Sequence, residues 1–224
     1  MDARRIARQA AYNLRTFGVG SALSDIAYRT TNKIVPISIL KGMTAELAHV
    51  APDVPDAGSI VTRVVAPDEL SRTAALPDWH EGLRPSLVDT ALAKGDECVG
   101  CFDGDRLVSV GWYARTPTSI SDTMTLHFDP TWVYMHRGYT LPAYRGRRLH
   151  AVAMSWALRT YTSRGARGLI SYVDFNNFPS LRSVERMGYR IFGEVVVVAL
   201  VGREFALSTA GCRPYGFRVL PSVA

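Results

Sequence analysis

The chain has 224 residues, 47% hydrophobic and 21% charged, with a formal net charge of +6 at pH 7. These proportions exclude a collagen, a coiled coil and a wholly disordered chain, and the length suits one domain with an extension. The longest apolar run, Val195–Val201, is far short of the roughly 20 residues that a membrane-spanning helix needs. Gln9, Asn13 and Arg15 interrupt the N-terminus before the apolar region of a signal peptide can form, so the expectation is a soluble, cytoplasmic protein.

Taken in chain order, residues 3–17 predict a helix with Ile6, Ala7, Ala10, Leu14 and Phe17 on one face and Arg4, Arg5, Arg8 and Arg15 on the other. Two outcomes are open for residues 3–17: the apolar face docks on the rest of the chain, or the helix makes a peripheral contact with an anionic membrane, at its inner face. Gly18 and Gly20 close this helix, and a second runs from Ser21 to about Asn32. Residues 33–49 carry no assigned element. Val50–Gly58, with Pro52 and Pro55, reads as a linker. The expected organisation is a basic helical extension over 1–58, a main domain over 59–210 and a C-terminal tail over 211–224.

Within the main domain, Ile60–Val65 is a β-branched strand, and Pro67-Asp68-Glu69 opens a helix where proline and acids are favoured. A second helix ends near Ala93. Glu97–Phe102 and Arg106–Ala114 form a hairpin about Asp103-Gly104-Asp105, and residues 115–130 read as a polar loop. Then follow strand Trp132–Leu141, a basic turn, helix Leu149–Ser163, strand Leu169–Asp174, helix Pro179–Met187, and a hairpin of Arg190–Val201 and Glu204–Ser208. The order implies an α/β fold, one mixed central sheet flanked by helices. The strand–helix–strand unit between Trp132 and Asp174 predicts two adjacent parallel strands that splay apart.

Three cysteines, an odd count, argue against a disulfide framework. Cys98 and Cys101 form a lone CxxC, no histidine pair has zinc spacing, and no metal is expected. Charge is more telling. Residues 143–190 hold nine basic and two acidic side chains, a local field that suits an anionic ligand. In Gly138–Arg159, GYTLPAYRGRRLHAVAMSWALR, a strand ends at Leu141-Pro142, a basic loop follows and a helix begins. Such a turn aims unpaired backbone N–H groups and a positive helix end at one point, a natural seat for a pyrophosphate. No recognition-helix or aromatic-interleaved pattern accompanies the basic residues, so nucleic acid is not the expected partner.

This segment, with YVDFNNFPSLRSVERMGY over 172–189, resembles the GNAT superfamily of acyl-CoA-dependent N-acyltransferases. The resemblance implies a GNAT-like acyltransferase fold and transfer of an acetyl or other acyl group from acyl-CoA to an amine, on a small molecule or an envelope precursor. Acetyl-CoA or another acyl-CoA would be the co-substrate. The alternative is a non-catalytic module of the same fold that binds CoA or another anion. The resemblance implies that Arg145, Gly146, Arg147, Arg148, Leu149 and His150 hold the pyrophosphate, that Tyr139, Thr140 and Leu141 pair with the pantetheine arm, and that Asn177 and Ser180 touch the far side of the cofactor.

The chain departs from the family pattern at three places. Arg148 replaces a loop glycine, which is compatible with binding if its φ stays negative, and His150 replaces a small residue and must find room. Val184 stands where many members carry a tyrosine that protonates the leaving thiolate, which leaves that role to Ser183, to a water or to no group at all. An amine also needs a base, because keeping a primary amine neutral at pH 7 costs about 4 kcal/mol. Where many members place a glutamate, this chain has His136, and an imidazole can accept a proton directly or through water. Glu81, His127 and Asp129 are further candidates for the base. Trp79, Trp132, Tyr134 and Tyr139 either line an acceptor pocket or belong to the core.

Overall fold

A computed structural model of the chain describes residues 3–50 and 58–222, so most of the expected linker lies outside the described residues. Eleven strands and six α-helices are described in chain order. An N-terminal pair, α1 (Ala3–Phe17) and α2 (Val19–Thr31), precedes β1 (Ile37–Ala45) and β2 (Ile60–Val64). Next come α3 (Pro67–Ala74), α4 (Pro85–Lys94), β3 (Glu97–Asp103), β4 (Arg106–Ala114), β5 (Thr118–Ser119) and β6 (Met124–His127). The remainder is β7 (Trp132–Thr140), α5 (Leu149–Ser163), β8 (Gly168–Asp174), α6 (Phe178–Arg186), β9 (Arg190–Leu200), β10 (Arg203–Ser208) and β11 (Arg218–Pro221).

The main sheet has eight strands in the order β10-β9-β1-β8-β7-β4-β3-β2. All its described pairings are antiparallel except β7 with β8. That parallel pairing, which the strand–helix–strand pattern predicts, covers Trp132↔Gly168, Val133↔Leu169 and Tyr134↔Ile170, after which the strands part. On one face, α3, α4 and α5 cover a core that includes Leu70, Leu83, Val108, Met154 and Leu158. On the other, a small sheet in the order β11-β6-β5 covers Leu126, Trp132, Val195, Phe217 and Val219. Of the aromatics in question, Trp79, Trp132 and Tyr134 belong to the core, each at most 2% exposed.

Three expectations are corrected. The segment 1–58 is not helical throughout, because β1 lies inside the main sheet between β8 and β9 and hydrogen-bonds to both. Its sequence, ISILKGMTA, has neither clean alternation nor a continuous apolar run, because Lys41 and Gly42 interrupt it. Lys41 is accommodated by an ion pair to Glu194 at 2.7 Å. Residues 115–130 are not all loop and residues 211–224 are not a tail, since β5 and β11 both pair with β6. These strands are two to four residues long and are stabilised by the large sheet beneath them more than by their own propensity.

The helix pair α1–α2 is anchored beside the β8–α6 turn. Asp25 is 1% exposed and receives hydrogen bonds from Asn13 at 2.9 Å, Asn176 at 3.0 Å and Arg29 at 2.9 Å. A buried carboxylate is tolerated only when paired in this way. Phe17 packs on Phe178 with centroids 5.6 Å apart, whereas Leu14 is half exposed. The C-terminal end of α1 therefore docks through Phe17, while the side chains of Ile6, Ala7 and Ala10 lie outside the described residues.

The central position of β1 has a measurable consequence. A Cβ added at Gly168 would collide with the carbonyl oxygen of Ala45 and lie 3.0 Å from the Trp132 ring. Gly168→Ala must therefore open the β1–β8 pairing. Overpacking of this kind costs about 1–3 kcal/mol, and the denaturant midpoint should fall accordingly. An unchanged midpoint would mean that β1 is not held where the pairing puts it.

Candidate active site

The parting of β7 and β8 creates the site. In β7, Trp112 of β4 faces Arg137 and Tyr113 faces Met135, so His136 is the extra residue of a β-bulge. A bulge bends its strand, increases its twist and re-aims side chains. Here it turns β7 away from β8 and breaks the alternation that would put His136 and Arg137 on opposite faces. Between the parted strands lies a cleft of about 420 Å³, lined by His136, Tyr139, Thr140, His150, Asn177 and Ser180, among others. A second cavity of about 210 Å³ opens beside it, lined by residues of α4, β5 and β7 and by Asp96. Only His136, Arg137 and Tyr172 line both.

His136 is held from below. Its Nε2 is 3.1 Å from Oδ2 of Asp96, which is almost wholly buried, and Oδ1 of that carboxylate is 2.8 Å from Nζ of Lys94. A carboxylate in an ion pair accepts hydrogen bonds and does not donate them. In the neutral imidazole the Nε2–H therefore points to Asp96 and Nδ1 carries the lone pair. The imidazole stacks on Tyr134, with centroids 5.6 Å apart. Glu81, His127 and Asp129 line neither cavity. Asp129 is engaged by the hydroxyl and amide of Thr131, and burial, with Arg218 nearby, lowers the His127 pKa.

The basic loop runs between Thr140 and His150, both of which line the larger cleft. Among the described residues, the backbone N–H groups of 146–150 have no acceptor, and α5 starts there with no acid in its first turn. The condition on Arg148 is not met. Its φ is +57°, as is usual for glycine, and Gly146 is also left-handed at +82°. Arginine therefore occupies the glycine conformation and keeps the turn at a cost of about 1–2 kcal/mol. Arg145 donates to the Thr140 carbonyl at 3.2 Å, and Arg147 lies over the Tyr144 ring at 4.8 Å. Leu149 is buried. Leu141 is also buried, and its amide is already bonded to Val108, so the exposed backbone facing the cleft ends at Thr140.

His150 finds its room against Gly138, where a Cβ would come within 3.0 Å of the imidazole Nδ1. Withdrawal from water lowers the His150 pKa. Below the ordinary imidazole value of about 6.5, the unfolded chain then binds a proton that the folded one refuses, so stability falls as the solution is acidified. Between about pH 7 and pH 5 the wild type should lose more stability than His150→Asn, measured by denaturant midpoints at the two pH values. Equal losses would mean that the ring is freely solvated.

Asn177 caps α6, accepting from the Ser180 amide at 3.3 Å, and both residues line the cleft. Val184 also lines it, whereas Ser183 lies in a neighbouring cavity with Arg148, His150 and Arg186. Tyr172 lines both of these main cavities; its hydroxyl meets that of Tyr134, and burial, with Asp174 nearby, raises its pKa. Sequence reading missed Tyr172, Asp96, Lys94 and Arg137. The bulge brings Arg137 to this wall, the packing of α4 brings Lys94 and Asp96, and the neighbouring strand β8 brings Tyr172; none of these leaves a local pattern.

No curated protein matches the sequence. Among solved structures, a Drosophila protein superposes with a TM-score of 0.50 at 16% identity, over 75% of this chain and 52% of its own. A GNAT-family acetyltransferase from Colwellia psychrerythraea gives 0.49 at 10% identity, over 76% and 56%. A GCN5-related N-acetyltransferase-like protein from Streptococcus suis gives 0.48 at 15%, over 79% and 67%. The chain thus spans about half the length of the first two. The sequence family model for GNAT acetyltransferases matches residues 65–189, more than half of the chain, including the bulge, the basic loop and the cleft. This chain belongs to the GNAT acetyltransferase family.

Proposed function

We propose that the protein transfers an acyl group, acetyl in the simplest case, from acyl-CoA to an amine, with His136 as the base. The observation that carries this reading is the place of His136 at the junction of the two cavities, with Nε2 on Asp96 and Nδ1 without a partner among the described residues. The long cleft between the parted strands takes the pantetheine arm, and the unpaired amides of 146–150 take the pyrophosphate. The amine enters through the smaller cavity and gives its proton to Nδ1 as its nitrogen attacks the thioester carbonyl. The C–S bond breaks, and the departing thiolate takes a proton from the Tyr172 hydroxyl, the donor that Val184 cannot be.

Two measurements test the reading together. Acetyl-CoA, propionyl-CoA and CoA should each raise the melting temperature, since a ligand at 100 times its Kd adds about 2.7 kcal/mol. Free thiol should then appear when amines are added to the acetyl-CoA complex. CoA binding without thiol release from any amine would favour the non-catalytic module, and no stabilisation by any CoA would remove both.

A further inference from the structure

The smaller cavity shows which class of amine it takes. Asp96 is its one carboxylate: Oδ2 is hydrogen-bonded to His136, and Oδ1, which has no hydrogen-bond partner, is held in an ion pair 2.8 Å from Lys94 Nζ. Lys94 is fixed in turn by the Thr118 hydroxyl at 2.8 Å. Arg137, delivered to the same wall by the bulge, has no ion pair with any described carboxylate. Among the described residues the cavity therefore offers one guanidinium outside any ion pair and one carboxylate already ion-paired; Asp174 lines the adjoining cleft with Arg137 but not this cavity. A second ammonium on the acceptor would meet only cations and an occupied Asp96, whereas a carboxylate or phosphate would gain a bidentate, charge-assisted partner. At about 210 Å³ the space is smaller than the 300–1,000 Å³ of sites for drug-sized ligands. Leu87, Ala91, Pro117 and Ile120 leave it a partly apolar wall.

We propose that the acceptor is a small amine that also carries an anionic group, a carboxylate or a phosphate, bound by Arg137 while the amine nitrogen faces His136. This rests on the acyl-transfer reading for the role of the amine, but the recognition of the anion does not require turnover.

The test compares matched probes: the common L-amino acids against their methyl esters, phosphoethanolamine against ethanolamine, and spermidine as a polycation. Each is measured by calorimetric binding to the CoA-loaded protein and by thiol release from acetyl-CoA. At least one anionic member should bind its site about tenfold to a hundredfold more tightly than its neutral partner, the range of a charge-assisted hydrogen bond. The amino-acid and phosphoethanolamine arms separate carboxylate from phosphate. Arg137→Gln should abolish the preference and Arg137→Lys should keep part of it. A preference for esters, ethanolamine or spermidine overturns the proposal, as does failure of every anionic probe to bind. A preference that survives Arg137→Gln also overturns it. Selective binding without acyl transfer supports the anion site and overturns the transferase reading, so the two failures are distinct.

Discussion

Replacing His136 with alanine should lower the rate of acyl transfer by about 10²–10⁴-fold, the usual contribution of a positioned general base. CoA binding should stay close to that of the wild type. The split follows from geometry. The His136 ring reaches the junction of the cavities, whereas the unpaired amides that would hold the pyrophosphate belong to residues 146–150. Removal of the ring takes the hydrogen bond from Asp96 Oδ2 but leaves the ion pair to Lys94 at 2.8 Å, so the buried carboxylate keeps its counter-charge and the fold should survive. Single-turnover rates with saturating acetyl-CoA, alongside CoA titrations, measure the two effects separately. A variant with wild-type turnover would make the histidine a packing residue on Tyr134. Loss of CoA binding in step with the rate would mean that the ring supports the cleft and carries no proton.

The second large effect concerns Arg148. Charge reversal, Arg148→Glu, should weaken CoA binding about tenfold to a hundredfold, because a charge-assisted hydrogen bond is worth about 1.5–3 kcal/mol and an anion then faces the pyrophosphate. Arg203→Glu, an exposed change in the β9–β10 hairpin, is the control and should change affinity little. Arg148→Gly separates backbone from side chain. Glycine adopts the left-handed φ of +57° without strain but is freer in the unfolded chain, so the melting temperature should move little while part of the affinity is lost with the charge. Equal CoA affinities for Arg148→Glu and Arg203→Glu would make the loop an ordinary surface turn. A large stability loss in Arg148→Gly would show that the arginine side chain, and not the turn, is what holds the loop.

The elements legible in the sequence were those whose burial is written in local periodicity. Helix α5, the β3–β4 hairpin and the parted β7–β8 pair all appear within a residue or two of their expected limits, because each has a continuous apolar face bounded by glycine or proline. The basic loop at 145–150 was legible too, since charge and a strand-to-helix turn are local properties. Other features were decided only by the tertiary structure. Strand β1 draws its stability from partners more than 120 residues away, among them Ile170 and Val196, so nothing within ISILKGMTA could show it. The site has the same origin. A one-residue slip in the β4–β7 register makes His136 a bulge, carries Arg137 to the same wall and sets Asp96 beneath the imidazole. Register is a property of two strands at once, and pairing across the sheet, not the order of residues along either strand, selects it.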